Sequence, residues 1–437
     1  MRTIATAQPQ LIRTLNFWQV TASGVGIVVG AGIYVLVGSA AGEAGNAVWL
    51  AFGVAALLSG LTALSYAELA SLFPSAGVEY EYGRRAFNEF VGFIAGWMMI
   101  AAYMVAAGAV SLGFAQYVQH FVDVDVRVAA IALLCVLTLI VISGIERSIW
   151  LSVALAAVQL TGLLIVIWAG LPHAGDRSLL EGGSVAGVLS GAALVFFAFI
   201  GFDDIATLSE ETVDASNVMP RALMATLAIA SVLYMLVGIS AVSVVGGDAL
   251  AASDTPLALV LEHDLGAWAG DLVAWIALAS TTNTTLLVLT ASSRLVFGMG
   301  RTGALPRRLA TVLPRTGAPW VAALASLVVA ASFAMAGDIG TIASVTDFAV
   351  YVIFISVNLS VIALRFRMPD AQRRFAVPLA VRRVPLPTVG AIATIVLLLL
   401  FLEPSAWWLG AGTMLAGVAA WFVTRAIERR QHLAAAG

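Results

Sequence analysis

The chain has 437 residues, 61% of them hydrophobic and only 11% charged, with a formal net charge of -3. A soluble domain carries about 25% charged residues, so a water-soluble fold of this size is excluded and most of the chain must have lipid as its solvent. The weak acidic balance gives no electrostatic footing for nucleic acid.

The single cysteine, Cys135, excludes an intrachain disulfide and, within an apolar run, points to helix packing. The four histidines, His120, His173, His263 and His432, are scattered without metal-ligand spacing, so no metal or cofactor is expected.

Apolar runs near 20 residues tile the chain, and each reads as a membrane-crossing helix. In chain order they cover approximately 17–40, 47–73, 88–118, 128–144, 149–170, 185–209, 220–245, 267–300, 319–336, 342–366, 385–402 and 404–424. The expected fold is therefore all-α, a single membrane domain over 1–437 with about 12 transmembrane helices. The first run is too long for a signal-peptide core and reads as a helix that stays attached.

Arginine placement supports the even count. All 22 basic residues are arginine, and all but three fall in alternate segments that then share one side. Arg127 and Arg177 fall opposite, and Arg294 lies within the eighth span. Cytoplasmic loops are enriched in Lys and Arg, which places both termini in the cytoplasm of a multi-pass cell-membrane protein.

Two spans do not read as continuous helices. The first carries Gly24, Gly26, Gly30 and Gly32, each costing about 1 kcal/mol relative to alanine. Its weakest point is Gly30-Ala31-Gly32, where a break frees backbone groups at membrane depth. The half-helix beyond it presents unpaired N–H groups and a positive dipole end, suited to a carboxylate. The same glycines also suit close helix packing, above all Gly24 and Gly26.

The sixth span reads Phe196-Phe197-Ala198-Phe199-Ile200-Gly201-Phe202-Asp203-Asp204. A charge at the bilayer centre costs at least about 2.5 kcal/mol, so this carboxylate pair marks function. Asp203 or Asp204 is expected to cap a new half-helix, while the carbonyls of Phe197 to Ile200 attract an ammonium group. Spans one and six hold equivalent places in two five-helix halves, approximately 17–170 and 185–366, with extra helices over 385–424. Paired interruptions of this kind mark a transporter site on an inverted repeat.

Four motifs in order carry a wider likeness. They are Gly24-Val25-Gly26 through Gly30-Ala31-Gly32-Ile33, and Tyr66-Ala67-Glu68-Leu69 with Phe73-Pro74 and Gly77. The others are Phe196 through Asp204 with Glu210-Glu211, and Ala291-Ser292-Ser293-Arg294-Leu295 with Met299 and Gly303. The sequence resembles the amino acid–polyamine–organocation superfamily of permeases, most closely its cationic-amino-acid-transporter-like branch, over nearly the whole chain. The resemblance implies two inverted five-helix repeats plus two extra helices, and an amino acid as substrate. It implies that the substrate carboxylate meets Gly30, Ala31 and Gly32, and that the amino group meets carbonyls of Val29 and of Phe197, Ala198, Phe199 and Ile200, beside Gly201 and Asp203. Phe197 or Phe202 is then an aromatic gate. Members exchange amino acids or import them with protons.

One departure bears on coupling. Proton-coupled relatives carry a lysine in span five where this chain has Gln159, which cannot titrate but can bridge the break by hydrogen bonds. Ser280 and Thr281, with Thr282, stand near where sodium-coupled relatives bind their ion, although such hydroxyls commonly bond to the preceding turn. Glu68, Glu210 and Glu211 suggest an inner gate with Arg294, against the simpler reading of interfacial anchoring. Tyr80, Tyr82, Arg84 and Arg85 read as an amphipathic surface helix.

The side-chain pocket is expected among Ala31, Tyr103, Met104, Gly108, Thr284 and Thr285, without an obvious second free carboxylate, which favours neutral amino acids. A polyamine or organic-cation antiporter on the same fold is the alternative and needs such a carboxylate. A membrane-embedded enzyme or sensor needs a catalytic cluster or an output domain, and the sequence shows neither.

Overall fold

The structure, a computed structural model, describes residues 15–73, 78–143, 145–210 and 212–436. Arg2, Arg13, Pro74, Gly77 and Glu211 lie outside the described residues, as do the side chains of Arg147, Glu210, Arg429 and Arg430.

The chain runs through α1 (Phe17–Val28), α2 (Gly32–Ala44), α3 (Val48–Leu72), α4 (Val78–Ala86), α5 (Glu89–Gln119) and α6 (Val126–Ser143). It continues with α7 (Ile145–Gly170), α8 (Val185–Val195), α9 (Ala215–Val244), α10 (Gly247–Ala251) and α11 (Pro256–Leu265). The last elements are α12 (Ala267–Thr302), α13 (Trp320–Ala336), α14 (Ile339–Arg367), α15 (Leu386–Leu399) and α16 (Pro404–Ala436). A two-stranded hairpin, β1 (Ala380–Val381) and β2 (Val384–Pro385), precedes α15.

Among the described residues nine helical stretches are long and apolar enough to cross a membrane, with α1, α13 and α15 as shorter apolar helices. Joining α1 to α2 as the first span and extending α8 through its continuation as the sixth gives about twelve crossings. Local chemistry sets several helix starts. Asn16 and Gln19 form a capping box at α1, and Asn88, Ser184 and Asp338 accept first-turn N–H groups at α5, α8 and α14.

α5 runs through the centre, with α12, α13, α14, α4 and α6 packed around it. Small residues permit that density. A Cβ on Gly108 would sit 2.8 Å from the Ala330 carbonyl oxygen, so Gly108 faces α13 and does not line the pocket expected from the sequence. Cys135 lies on the exposed side of α6, in a position for lipid and not for the helix packing expected of it. α4 is more than a surface helix: Tyr82 is buried against Tyr66, ring centroids 6.3 Å apart. The long segment between α9 and α12 folds into α10 and α11, which its polar composition concealed.

Both ends of the bundle are tied. At the arginine-poor end, the Asn46 side chain donates to the Ser178 carbonyl (2.8 Å) and accepts from the Gly247 N–H (2.6 Å). This single amide joins the end of α2 to the segment after α7 and to the start of α10. At the arginine-rich end, buried Glu68 accepts from Arg365 Nε (2.9 Å), Arg373 Nε (3.1 Å) and the Val377 N–H (2.8 Å). The expected pairing of Glu68 with Arg294 is therefore wrong. Arg294 sits on an exposed part of α12, and α14 with the segment after it delivers the two guanidinium groups instead.

Breaking a buried ion pair by removing one partner costs about 3–5 kcal/mol, because charge is left without compensation. Glu68→Gln is expected to lower the unfolding midpoint in detergent by a corresponding amount, whereas Arg294→Gln leaves it nearly unchanged. Thermal unfolding of the two purified variants checks this.

Candidate substrate-binding site

The first span is interrupted at Val29–Ala31, between α1 and α2. The Gly30 N–H turns to the Val28 carbonyl (2.8 Å), so the Gly26 carbonyl loses its helical donor. Three side chains from other helices answer the groups left over. Gln159 of α7 donates through Nε2 to the Gly26 carbonyl (3.1 Å) and to the Val29 carbonyl. Thr284 of α12 accepts the Ala31 N–H (2.9 Å). Tyr234 of α9 donates to the Val28 carbonyl (2.7 Å). The first-turn N–H groups of α2, from Gly32 onward, begin a helix and have no carbonyl before them within it.

The sixth span is interrupted too. α8 tightens into a 3-10 stretch at Phe196–Phe199, turns at Gly201, and continues as a second 3-10 stretch over Asp203–Glu210. Gly201 sits at φ 109°, where a side chain would be strained. Asp203 does not cap the following half as expected. Its Oδ1 accepts the Gly201 N–H (3.0 Å), because the left-handed turn points that N–H back at it. Asp204 accepts the Tyr103 hydroxyl. Of the carbonyls of Phe197 to Ile200, that of Phe197 accepts the Ile200 N–H (3.2 Å) and that of Ala198 accepts Tyr234 (2.9 Å).

The two interruptions touch. A Cβ on Gly32 would lie 2.6 Å from Ala198 Cα, so Gly32 serves the close approach of the two spans as well as the break. Gly24 is a packing residue: a Cβ there would meet Thr226 and Ile205 within 2.7 Å. Val29, Ala31 and Gln159 are 0% exposed and Asp203 is 1% exposed, so the junction is sealed in this conformation. Phe202 is locked in an aromatic group, 5.6 Å from Tyr66 and 5.2 Å from Phe354 between centroids, while Phe199 packs on Tyr234 (5.1 Å).

Ser280 joins the site by donating to Gln159 Oε1 (3.1 Å). Thr281 and Thr285 do not. Thr281 donates to the Ala277 carbonyl (2.8 Å) and Thr285 to the Thr281 carbonyl (2.8 Å), each within its own helix. Glu68 belongs to the cluster at the arginine-rich end and Arg294 to neither. Sequence reasoning missed Tyr234 and gave Glu79 no role. Glu79, on α4, accepts the Tyr66 hydroxyl (3.1 Å) and lies near Asp203 and Asp204.

Two interrupted helices meeting at membrane depth, their loose backbone groups gathered by neighbouring helices, define a polytopic transporter. A family model described as amino acid permease matches residues 15–424, and the chain belongs to that family. It is 33% identical to an uncharacterized transporter of Mycobacterium tuberculosis, over 96% of this chain and 93% of that protein. It is 30% identical to the branched-chain amino acid permease of Bacillus subtilis, over 91% and 89%. A vacuolar cationic amino acid transporter of Arabidopsis thaliana is 32% identical over 83% of this chain and 61% of its own length.

Two outcomes follow. Gln159→Leu strands the Gly26 and Val29 carbonyls, at about 1–3 kcal/mol for each unpaired group. A lower unfolding midpoint in detergent is the expected reading, with Thr281→Val near wild type. The second concerns pH. Burial, and next to it the Asp203 carboxylate, push the Glu79 carboxyl up to about 8. The folded chain then keeps a proton that the unfolded chain releases above about pH 4.3, so stability falls as pH climbs between the two values. The midpoint is expected to drop from about pH 5 to about pH 8, and Glu79→Gln to flatten that profile.

Proposed function

We propose that this amino acid transporter is a secondary carrier working by alternating access, with its substrate held between the interruptions of spans one and six. The substrate carboxylate takes the N–H groups at the start of α2, from Gly32 onward, and the Ala31 N–H once Thr284 yields it, beside Gly30 whose own N–H stays with the Val28 carbonyl. Its amino group takes carbonyls of the sixth span, beside Gly201 and Asp203. The observation that carries this reading is the junction itself. Two unrelated interruptions meet within van der Waals reach at Gly32 and Ala198, and the Tyr234 hydroxyl bridges a carbonyl of each. A helix start supplies positive potential and a helix end negative potential, which is the charge pattern of a zwitterion. Chemistry on the substrate has no place in this scheme, and the chain acts as a permease rather than an enzyme.

The halves before and after residue 185 act as inverted repeats, with α15 and α16 as the two extra helices. The arginine-rich face is cytoplasmic and the protein spans the cell membrane. Gln159 holds the break shut without titrating, so energy does not enter through that position.

A second reading has its own support. The carboxyl groups of Asp203, Asp204 and Glu79 converge beneath the junction, and Asp203 Oδ2 is buried without a donor among the described residues. That arrangement suits a cationic side chain or a polyamine better than a neutral one, against the expectation from sequence.

Uptake into proteoliposomes tests both. Labelled leucine or arginine is expected to accumulate or exchange, and the transport reading would be falsified if neither did. Competition by putrescine and arginine but not leucine selects the cationic reading. Gly32→Ala drives a Cβ into the Ala198 backbone and is expected to slow uptake about tenfold, the equivalent of 1.4 kcal/mol.

A further inference from the structure

Between α14 and α15 the chain builds a hairpin before it re-enters the membrane. Residues 365–386 hold six arginines against a single acidic residue, Asp370. Arg365 and Arg373 are spent on Glu68, and Arg374 pairs with Asp214. Arg382 and Arg383 stand exposed at the hairpin tip and have no carboxylate partner among the described residues.

Val381 pairs with Val384, which leaves Arg382-Arg383 as a two-residue turn. The favoured two-residue turns need a positive φ at their first central residue, a place usually taken by Gly, Asn or Asp. Arg382 takes it at φ 57°, and Leu379, just before β1, sits at φ 56°. Both positions are strained for side chains of this size, and strain of this kind gathers at functional places. β2 packs on α14 and α15 with Pro385 buried. β1 is the free edge, and Leu379 and Val381 are 72% and 60% exposed. Their side chains disfavour water, while the unpaired backbone groups of an edge strand are not tolerated in hydrocarbon. The layer that suits both is the headgroup region. α15 points to the same depth. Its 14 residues span about 21 Å, against a hydrocarbon core of about 30 Å, so flanking residues complete the crossing. Its first residue, Leu386, is exposed. The Arg383 guanidinium lies over the ring of Phe366, 6.0 Å from the centroid, and Phe366 is exposed near the end of α14.

We propose that the β1–β2 hairpin is a docking surface for anionic phospholipid headgroups in the leaflet at the arginine-rich end. Arg382 and Arg383 take phosphate oxygens, for which the guanidinium fork is suited, while Leu379 and Val381 enter the acyl boundary. Charge selects the occupant. A zwitterionic headgroup brings an ammonium that the arginine pair repels, whereas an anionic one brings net charge of the opposite sign. The segment that forms the hairpin also supplies Arg373 and the Val377 N–H to Glu68. Lipid held at the tip therefore keeps that segment seated on α3. This docking requires that the chain span a membrane and is independent of how it carries substrate.

The experiment titrates the purified chain in mixed micelles with phosphatidylglycerol, phosphatidylcholine or glycerol phosphate, reading bound lipid and the thermal unfolding midpoint. Phosphatidylglycerol is expected to raise the midpoint more than phosphatidylcholine. That excess is expected to shrink with salt, as the Debye length falls from about 10 Å at 0.1 M to about 3 Å at 1 M. An arginine near an anionic surface is worth about fivefold in binding. The double variant Arg382→Gln with Arg383→Gln is therefore expected to bind phosphatidylglycerol about thirtyfold more weakly. Arg307→Gln with Arg308→Gln removes another exposed pair at the same end and is expected to stay near wild type. Arg382→Gly relieves the turn, so it is expected to raise the midpoint without lipid while losing about fivefold in lipid affinity. Equal affinity in wild type and the hairpin double variant overturns the proposal, as does an equal loss in the Arg307 and Arg308 control. A midpoint raised as much by glycerol phosphate assigns the pair to a free anion and overturns it too. So does a wild type that responds to phosphatidylglycerol no more than to phosphatidylcholine.

Discussion

A helix interrupted inside a bilayer leaves N–H and C=O groups where no water can reach them, and each must find a partner within the protein. That requirement organises this molecule. The break after Val28 draws Gln159 from α7, Thr284 from α12 and Tyr234 from α9 to one point. The Tyr234 hydroxyl, bonded to the Val28 and Ala198 carbonyls, ties the two interruptions to each other. A hydroxyl and an amide suffice because each donates directly to a carbonyl freed by the break. The groups that remain uncommitted, chiefly at the start of α2, are those a zwitterionic ligand is able to complete.

The ends of the bundle obey a different rule. Asn46 closes one end with neutral hydrogen bonds, while Glu68 closes the other with two guanidinium groups and a backbone N–H. A buried ion pair gains little over well-packed apolar residues, but it is expensive to leave half-made. The Glu68 cluster therefore behaves as an all-or-none fastening: α3 and the segment after α14 separate only if water enters to replace the lost partners. The neutral Asn46 contacts exchange with water at far lower cost. The two ends consequently differ in how readily they open.

The sequence made some of this legible and hid the rest for identifiable reasons. Gly30 and Gly32 announce a break because glycine weakens a helix wherever it stands, and Asp203-Asp204 announces a site because charge in lipid is costly wherever it stands. Both are local signals. Tyr234 carries none: it sits in an ordinary apolar helix, and only packing shows what faces it. The error over Glu68 has the same origin. Arg294 and Arg365 both lie near the same end of the bundle, and one-dimensional spacing cannot tell which of them faces α3. Asp203 taught a subtler lesson. A carboxylate after a glycine suggests a helix cap, but the positive φ of Gly201 turns the N–H backward, and the following segment is 3-10 rather than α.

Gln159 keeps the break itself free of a titrating group. An amide at the break keeps its hydrogen bonds at every pH, so the geometry offered to a substrate carboxylate does not change with protonation. On the proposed reading, binding is thereby assigned to backbone held in fixed geometry. The two interrupted spans are linked mechanically as well: α8 ends in the stretch that carries Ala198, and Ala198 is the point where the sixth span meets Gly32.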